Sequence, residues 1–181
     1  MQRLEAIQPN EATGSVKNHL QAVQSKMGMV PNILKTMANS PAALEAYLGF
    51  SGALAGGVLS KKLREQIALT VAETNHCNFC LAAHTAAGKA VGLGEEEIID
   101  SRRGTSPDSK VDAALQFARE VVEKRGWVSD DDFNRLHSSG YKDEEITEII
   151  AHVALHNFLN YFSHIANPAI DFPAAPELVA L

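Results

Sequence analysis

The stretch REQIALTVAETNHCNFCLAAHTAAGKAVGL, residues 64–93, decides how this chain is read. It contains both cysteines of the protein, Cys77 and Cys80, three positions apart. His84 follows one helical turn later, and Glu65 stands upstream. Ser60 can cap the segment KKLREQIALTVAET, where Leu63, Ile67, Ala68 and Val71 recur at helical spacing. Thr74-Asn75-His76 reads as a break. A second helix is expected to begin near Cys77 and to end around Gly92 or Gly94.

Spacing says what this set can do. Cys77 and Cys80 at i, i+3 share a helix face and are close enough for a disulfide. In the first turn both sulfurs would feel the positive end of the helix, which favours the reactive thiolate. His84, at i+4 from Cys80, lies on the same face. In one unbroken helix Glu65 would stand about 18 Å from Cys77. If the chain folds back at Thr74-Asn75-His76, the two helices pack antiparallel and Glu65 falls opposite His84. The carboxylate can then orient the imidazole, and the imidazole can handle a thiol proton.

Outward from the motif the pattern stays helical. Ser40 caps a segment with Pro41 in its first turn and Leu44, Tyr47, Leu48 and Ala55 as apolar positions. Short helices are expected from Glu95 to about Arg102 and after Ser129, with a longer one from Val111 to Lys124. The longest runs from Asp143 to Asn167-Pro168. Gly28 to Asn32 reads as a turn between helices, and 104–108 as a loop. The Pro-rich tail DFPAAPELVAL is expected to run extended along the surface or a partner. The fold class is all-α, one domain over 1–181 with its core motif at 60–94. EQIALTVA and EIIAHVAL are alike, but the match is too short to establish a duplicated hairpin.

The 22 acidic and 16 basic residues give a net charge of −6, which excludes general attraction to nucleic acid. Lys61-Lys62-Leu63-Arg64 and Arg102-Arg103 are short and read as solvated helix faces. MQRLEAIQPNEATGSV has no apolar signal core, and no apolar run approaches the roughly 18 residues of a membrane span. The expected location is the cytoplasm, where a CxxC pair favours a redox or metal role over a structural disulfide.

Rival readings attach to the same residues. Cys77, Cys80, His84 and His76 could make a zinc site, against which stands the lack of a second CxxC or paired-histidine motif. His76 reads as a surface residue. His152, His156 and His164 share one helix and read as polar members of a packed helix or subunit contact rather than a ligand stripe. Asn157, Asn160 and Tyr161 would hydrogen-bond across such an interface or line a pocket beside the cysteines. Trp127 and the phenylalanines read as core.

The motif Glu65-x11-Cys77-x2-Cys80-x3-His84 resembles the redox-active branch of the carboxymuconolactone decarboxylase superfamily, the alkyl hydroperoxidase D-like, peroxidase-related proteins. GMVPN at 28–32, SPAALEAYL at 40–48 and HNFLNYFSHIANPAIDFP at 156–173 extend the likeness over most of the chain. The resemblance implies an all-helical fold and a homo-oligomer, commonly a trimer or hexamer. It implies that Cys80 attacks the peroxide and becomes a sulfenic acid, that Cys77 resolves it to a disulfide, and that Glu65 and His84 relay protons. A protein dithiol, a lipoyl domain or a thioredoxin, would reduce the disulfide. No flavin, haem or metal is required. Relatives can carry a histidine before the second cysteine, where this chain has Phe79. The function expected is a thiol-dependent peroxidase acting on hydrogen or alkyl hydroperoxides. The alternatives are a non-enzymatic redox sensor, a disulfide oxidoreductase, or a small metal-binding protein.

Overall fold

In the computed structural model, which describes residues 2–178, the described residues form nine helices and no strand. They are α1 (Gly14–Met27), α2 (Asn32–Met37), α3 (Pro41–Ala55), α4 (Lys61–Thr74), α5 (Asn78–Ala90), α6 (Glu95–Arg102), α7 (Ser109–Glu123), α8 (Asp130–Ser138) and α9 (Asp143–Ala166). The all-helical reading therefore stands. Short polar side chains start the helices as their chemistry predicts. Ser40 Oγ accepts from the Ala43 N–H, Ser60 Oγ from the Leu63 N–H, and Asp108 from the N–H groups of Lys110 and Val111.

α4 is the central helix, packed on α5, α6, α7 and α9. Its run from Gln66 to Ala72 is buried without interruption, as expected of a helix enclosed on all sides. One apolar cluster joins α1, α2 and the start of α3 to α5, and includes Leu20, Met37, Leu44, Phe79 and both cysteines. A second joins α4 to α7, α8 and α9 through Ile67, Val71, Leu115, Leu136 and Ile149. The site thus starts at a junction between helix pairs.

Two loops fix the entry to α4 and its exit. The Glu148 carboxylate of α9 accepts from the Val58 N–H at 2.8 Å and from the Leu59 N–H at 3.1 Å, pinning the α3–α4 connection. Gly57 lies against that carboxylate, and a Cβ there would clash with its oxygens. At the far end His76 takes a left-handed φ of 54°. The Cys77 N–H reaches the Ala72 carbonyl at 2.8 Å and the His76 N–H reaches that of Glu73 at 2.9 Å. This pair of bonds is a Schellman termination, with a histidine where glycine is usual. It reverses the chain in three residues.

Several expectations change. Trp127 is 88% exposed, because the turn through Arg125 (φ 54°) and Gly126 (φ 85°) leaves it outside the α7–α8 connection. Phe50, Phe133 and Phe158 are also exposed, whereas Phe79 and Phe117 are core. The tail keeps to the body. Asp171 accepts from the Asn32 N–H at 2.7 Å, Phe172 meets the Phe79 ring edge-on at 5.9 Å, and the Pro176 carbonyl accepts from Arg102. Residues 179–181 of that tail lie outside the described part. No described helix is long and apolar enough to cross a membrane.

Candidate active site at the start of helix α5

The reversal at His76 makes Cys77 the N-cap of α5 and puts Cys80 in its first turn. The Cys77 sulfur accepts from the Cys80 N–H at 3.4 Å. Both sulfurs are buried and free of disulfide. The two thiols are driven in opposite directions. A hydrogen bond from the Cys80 thiol lowers Cys77 to about 6; burial opposes this, and the Ser163 hydroxyl, the Cys80 N–H and the charge of His164 add to it. Cys80 is pushed up, first by donating to Cys77 and then by burial, with the Asn160 side chain pulling the other way. The opposite directions favour a pair that shares one proton, with Cys77 the more readily ionised sulfur.

The fold-back of α5 on α4 brings His84 and Glu65 together. His84 Nδ1 and Glu65 Oε2 are 2.8 Å apart, with only 16% and 23% of the two side chains exposed. An ionised carboxylate can only accept, so Nδ1 carries the proton and Nε2 is left as the basic nitrogen. The sequence expectation for this pair rested on the turn at Thr74-Asn75-His76, and the turn is there.

Cys80, Glu65 and His84 line a cavity of about 440 Å³ whose other walls include Leu34, Leu159 and Phe172. Cys77 does not line it. Tyr47 enters the same cavity from α3. Burial raises its phenol to about 12, helped by electrostatic interaction with Cys80 and Glu65 and opposed by a hydrogen bond with Ser51. It is therefore a hydroxyl donor at every physiological pH. Neither Tyr47 nor Phe172 was singled out from sequence as lining the site, because one reads as a core position of α3 and the other as part of a tail.

The late histidines do not act as one group. His152 and His156 are buried on α9, while His164 is exposed. The His156 ring stands edge-on to His84 with centroids 4.8 Å apart, and His152 stacks on His156 at 6.0 Å. Their burial fits the expected polar members of a packed helix, and their contacts extend the site inward from His84. Asn75 Nδ2 donates to the side-chain oxygens of Asn157 at 2.6 Å and of Asn160 at 2.9 Å, tying the turn to α9 beside the cysteines. Tyr161 is exposed, as is His76. Among the described residues no three histidine, cysteine or acidic side chains are grouped as metal ligands.

Comparison with known proteins agrees with this architecture. Residues 41–124 match the Carboxymuconolactone decarboxylase family. An uncharacterized peroxidase-related protein from Silicibacter sp. TM1040 is 27% identical, with 84% of this chain and 83% of that chain covered at a TM-score of 0.77. A peroxidase-related protein from Ralstonia eutropha JMP134, described as an alkylhydroperoxidase AhpD core, shares the fold at 24% identity and a TM-score of 0.84, with 94% and 92% covered. The debrominase Bmp8, as a cysteine-to-alanine variant in complex with 2,3,4-tribromopyrrole, shares it at 19% identity and a TM-score of 0.81, with 93% and 91% covered. No curated protein matches the chain. The matched region contains Glu65, Cys77, Cys80 and His84; over it the chain is similar to the carboxymuconolactone decarboxylase family, and it has the fold of the alkyl hydroperoxidase D-like proteins.

Proposed function

We propose that the protein is a thiol-dependent peroxidase in which Cys80 reduces a hydroperoxide. The observation that carries this reading is that Cys80, the Glu65–His84 pair and the Tyr47 hydroxyl line one cavity. The largely apolar walls favour an organic hydroperoxide over hydrogen peroxide.

The chemistry follows from the two sulfurs. The Cys80 proton passes to His84 Nε2, which Glu65 orients and stabilises once charged. The Cys80 thiolate attacks one peroxide oxygen, the O–O bond breaks, and the S–O bond of a sulfenic acid forms. The leaving alkoxide takes a proton from His84 or Tyr47. Cys77, already a thiolate, then attacks the Cys80 sulfur; hydroxide leaves and is protonated, and a disulfide forms. The resting charge on Cys77 is what a resolving thiol needs, while only Cys80 reaches the cavity. A protein dithiol of the lipoyl or thioredoxin kind, delivering two electrons and two protons, restores the pair. Such a cycle suits a reducing, cytoplasmic setting.

The depressed Cys77 thiol also supports a second reading, disulfide exchange without a peroxide, either as an oxidoreductase or as a sensor. The two are separated by following tert-butyl hydroperoxide consumption with dithiothreitol, a thioredoxin or a lipoyl domain, in wild type and in Cys80→Ser. The peroxidase reading requires turnover that Cys80→Ser loses. Unchanged turnover in Cys80→Ser ends it, and fast oxidation with negligible turnover favours the sensor. Because a debrominase shares the fold, a bromopyrrole is the control substrate.

The exposed apolar row Ile150, Phe158, Tyr161 and Ile165 on α9 supports association between copies of the chain.

A further inference from the structure

Behind the Glu65–His84 pair lies a second cavity, of about 240 Å³. Glu65, His84, Tyr47 and Ser51 belong to the walls of both cavities, so they form the partition between them. Lys61, Arg64, His152 and His156 face only the second one. Both histidines are more than nine-tenths buried. Nδ1 and Nε2 of His152 and Nδ1 of His156 make no hydrogen bond to any described residue. Buried polar atoms of this kind are ordinarily satisfied, so three in one chamber require an explanation. The chamber presents Arg64, Glu65 and three histidines and is large enough for water molecules.

We propose that this chamber is a proton-supply site, in which His152 and His156, bridged by water, pass a proton from the outside to His84. The inference rests on the peroxidase reading, and proton balance gives it a purpose. The pair begins with one proton on two sulfurs. Thiol, thiolate and hydroperoxide contain two protons, whereas the products, disulfide, alcohol and water, contain three. One proton must therefore be taken up each time the disulfide forms, and it is returned when a dithiol reduces the bond. The apolar first cavity is a poor route for it, and the second chamber abuts the same His84.

The groups facing the row fit a carrier that stays neutral. Burial lowers His156 well below the ordinary histidine value, and the charges of His84 and His152 add to this. Burial is also the main cause that lowers His152; Arg64 and His84 act in the same sense, and Glu148 and Glu65 oppose them. A neutral imidazole accepts at one nitrogen and donates at the other, as a relay requires.

The test is single-turnover disulfide formation by tert-butyl hydroperoxide in the reduced full chain, comparing wild type with His156→Gln and His152→Gln. Both variants should slow the reaction by about tenfold or more, show a larger solvent deuterium effect, and recover with added imidazole. A packing role for the histidines would give neither the isotope effect nor the rescue. Melting curves identify a variant that fails to fold, and the other variant then carries the test. Wild-type rates in both variants overturn the inference and leave the peroxidase reading standing. If wild type ignores the peroxide, the peroxidase reading falls by itself. The comparison is then made with diamide, whose reduction takes up the same proton, and equal rates overturn the inference there too.

Discussion

Glu65 Oε2 sits 2.8 Å from His84 Nδ1 across the α4–α5 hairpin, nineteen positions away in the chain. Glu65→Gln keeps the shape and removes the charge that supports an imidazolium. It should slow peroxide-driven oxidation of Cys80 by about 100-fold while leaving the fold intact. Rapid-quench thiol trapping measures this, and an unaltered rate would show that the pair is only structural.

The two cysteines should separate cleanly. Cys80→Ser should abolish peroxide consumption, and Cys77→Ser should leave a sulfenic acid on Cys80 that a dimedone probe captures. In wild type the ultraviolet thiolate signal should titrate with a midpoint near 6, the value to which Cys77 is lowered. Cys80→Ala removes the hydrogen bond that is the main cause of that depression, so the midpoint should rise toward the ordinary thiol range.

Stability should fall with acid on account of the buried histidines. Burial lowers both His152 and His156 in the folded chain. The unfolded chain binds these protons first, so their contribution is complete above an unfolded value of about 6.5 and declines as pH falls below it. Melting temperatures recorded downward from neutral pH should drop, and His152→Gln with His156→Gln should flatten that slope. An identical slope in the double variant would count against neutral burial.

Two backbone positions test the frame of the site. Gly57→Ala pushes a methyl into the Glu148 carboxylate that holds Val58 and Leu59, and should destabilise by about 1–3 kcal/mol. His76→Gly relieves a left-handed side chain at the helix terminus and should stabilise by about 1 kcal/mol. Denaturant titration reads both, and a destabilised His76→Gly would mean that its side chain contributes an interaction of its own.

Association through α9 is checked by light scattering. Tyr161→Glu with Ile165→Glu places charges in the exposed apolar row and should yield monomers. An oligomer of unchanged mass in that variant would move the interface elsewhere.

Much of this was legible in the residues themselves. Helical periodicity, Ser40, Ser60 and Ser129 as caps, and the break at Thr74-Asn75-His76 determined an all-helical chain and the fold-back that pairs Glu65 with His84. These are local properties, set by capping, turn chemistry and spacing within about twenty residues. Tyr47, Asn160 and Phe172 reach the surroundings of Cys80 from α3, α9 and the tail, His156 reaches His84 from α9, and no local pattern encodes that meeting. Trp127 shows the converse: an apolar residue whose type promised burial was turned outward by the backbone of Arg125 and Gly126. The sequence by itself determined the helical pattern from Ser40 onward and the grouping of Glu65, Cys77, Cys80 and His84. Only the tertiary structure decided which thiol faces the cavity, which bears the charge, and that a buried histidine row stands behind His84, because each depends on long-range packing that places unlike side chains in one low-dielectric space.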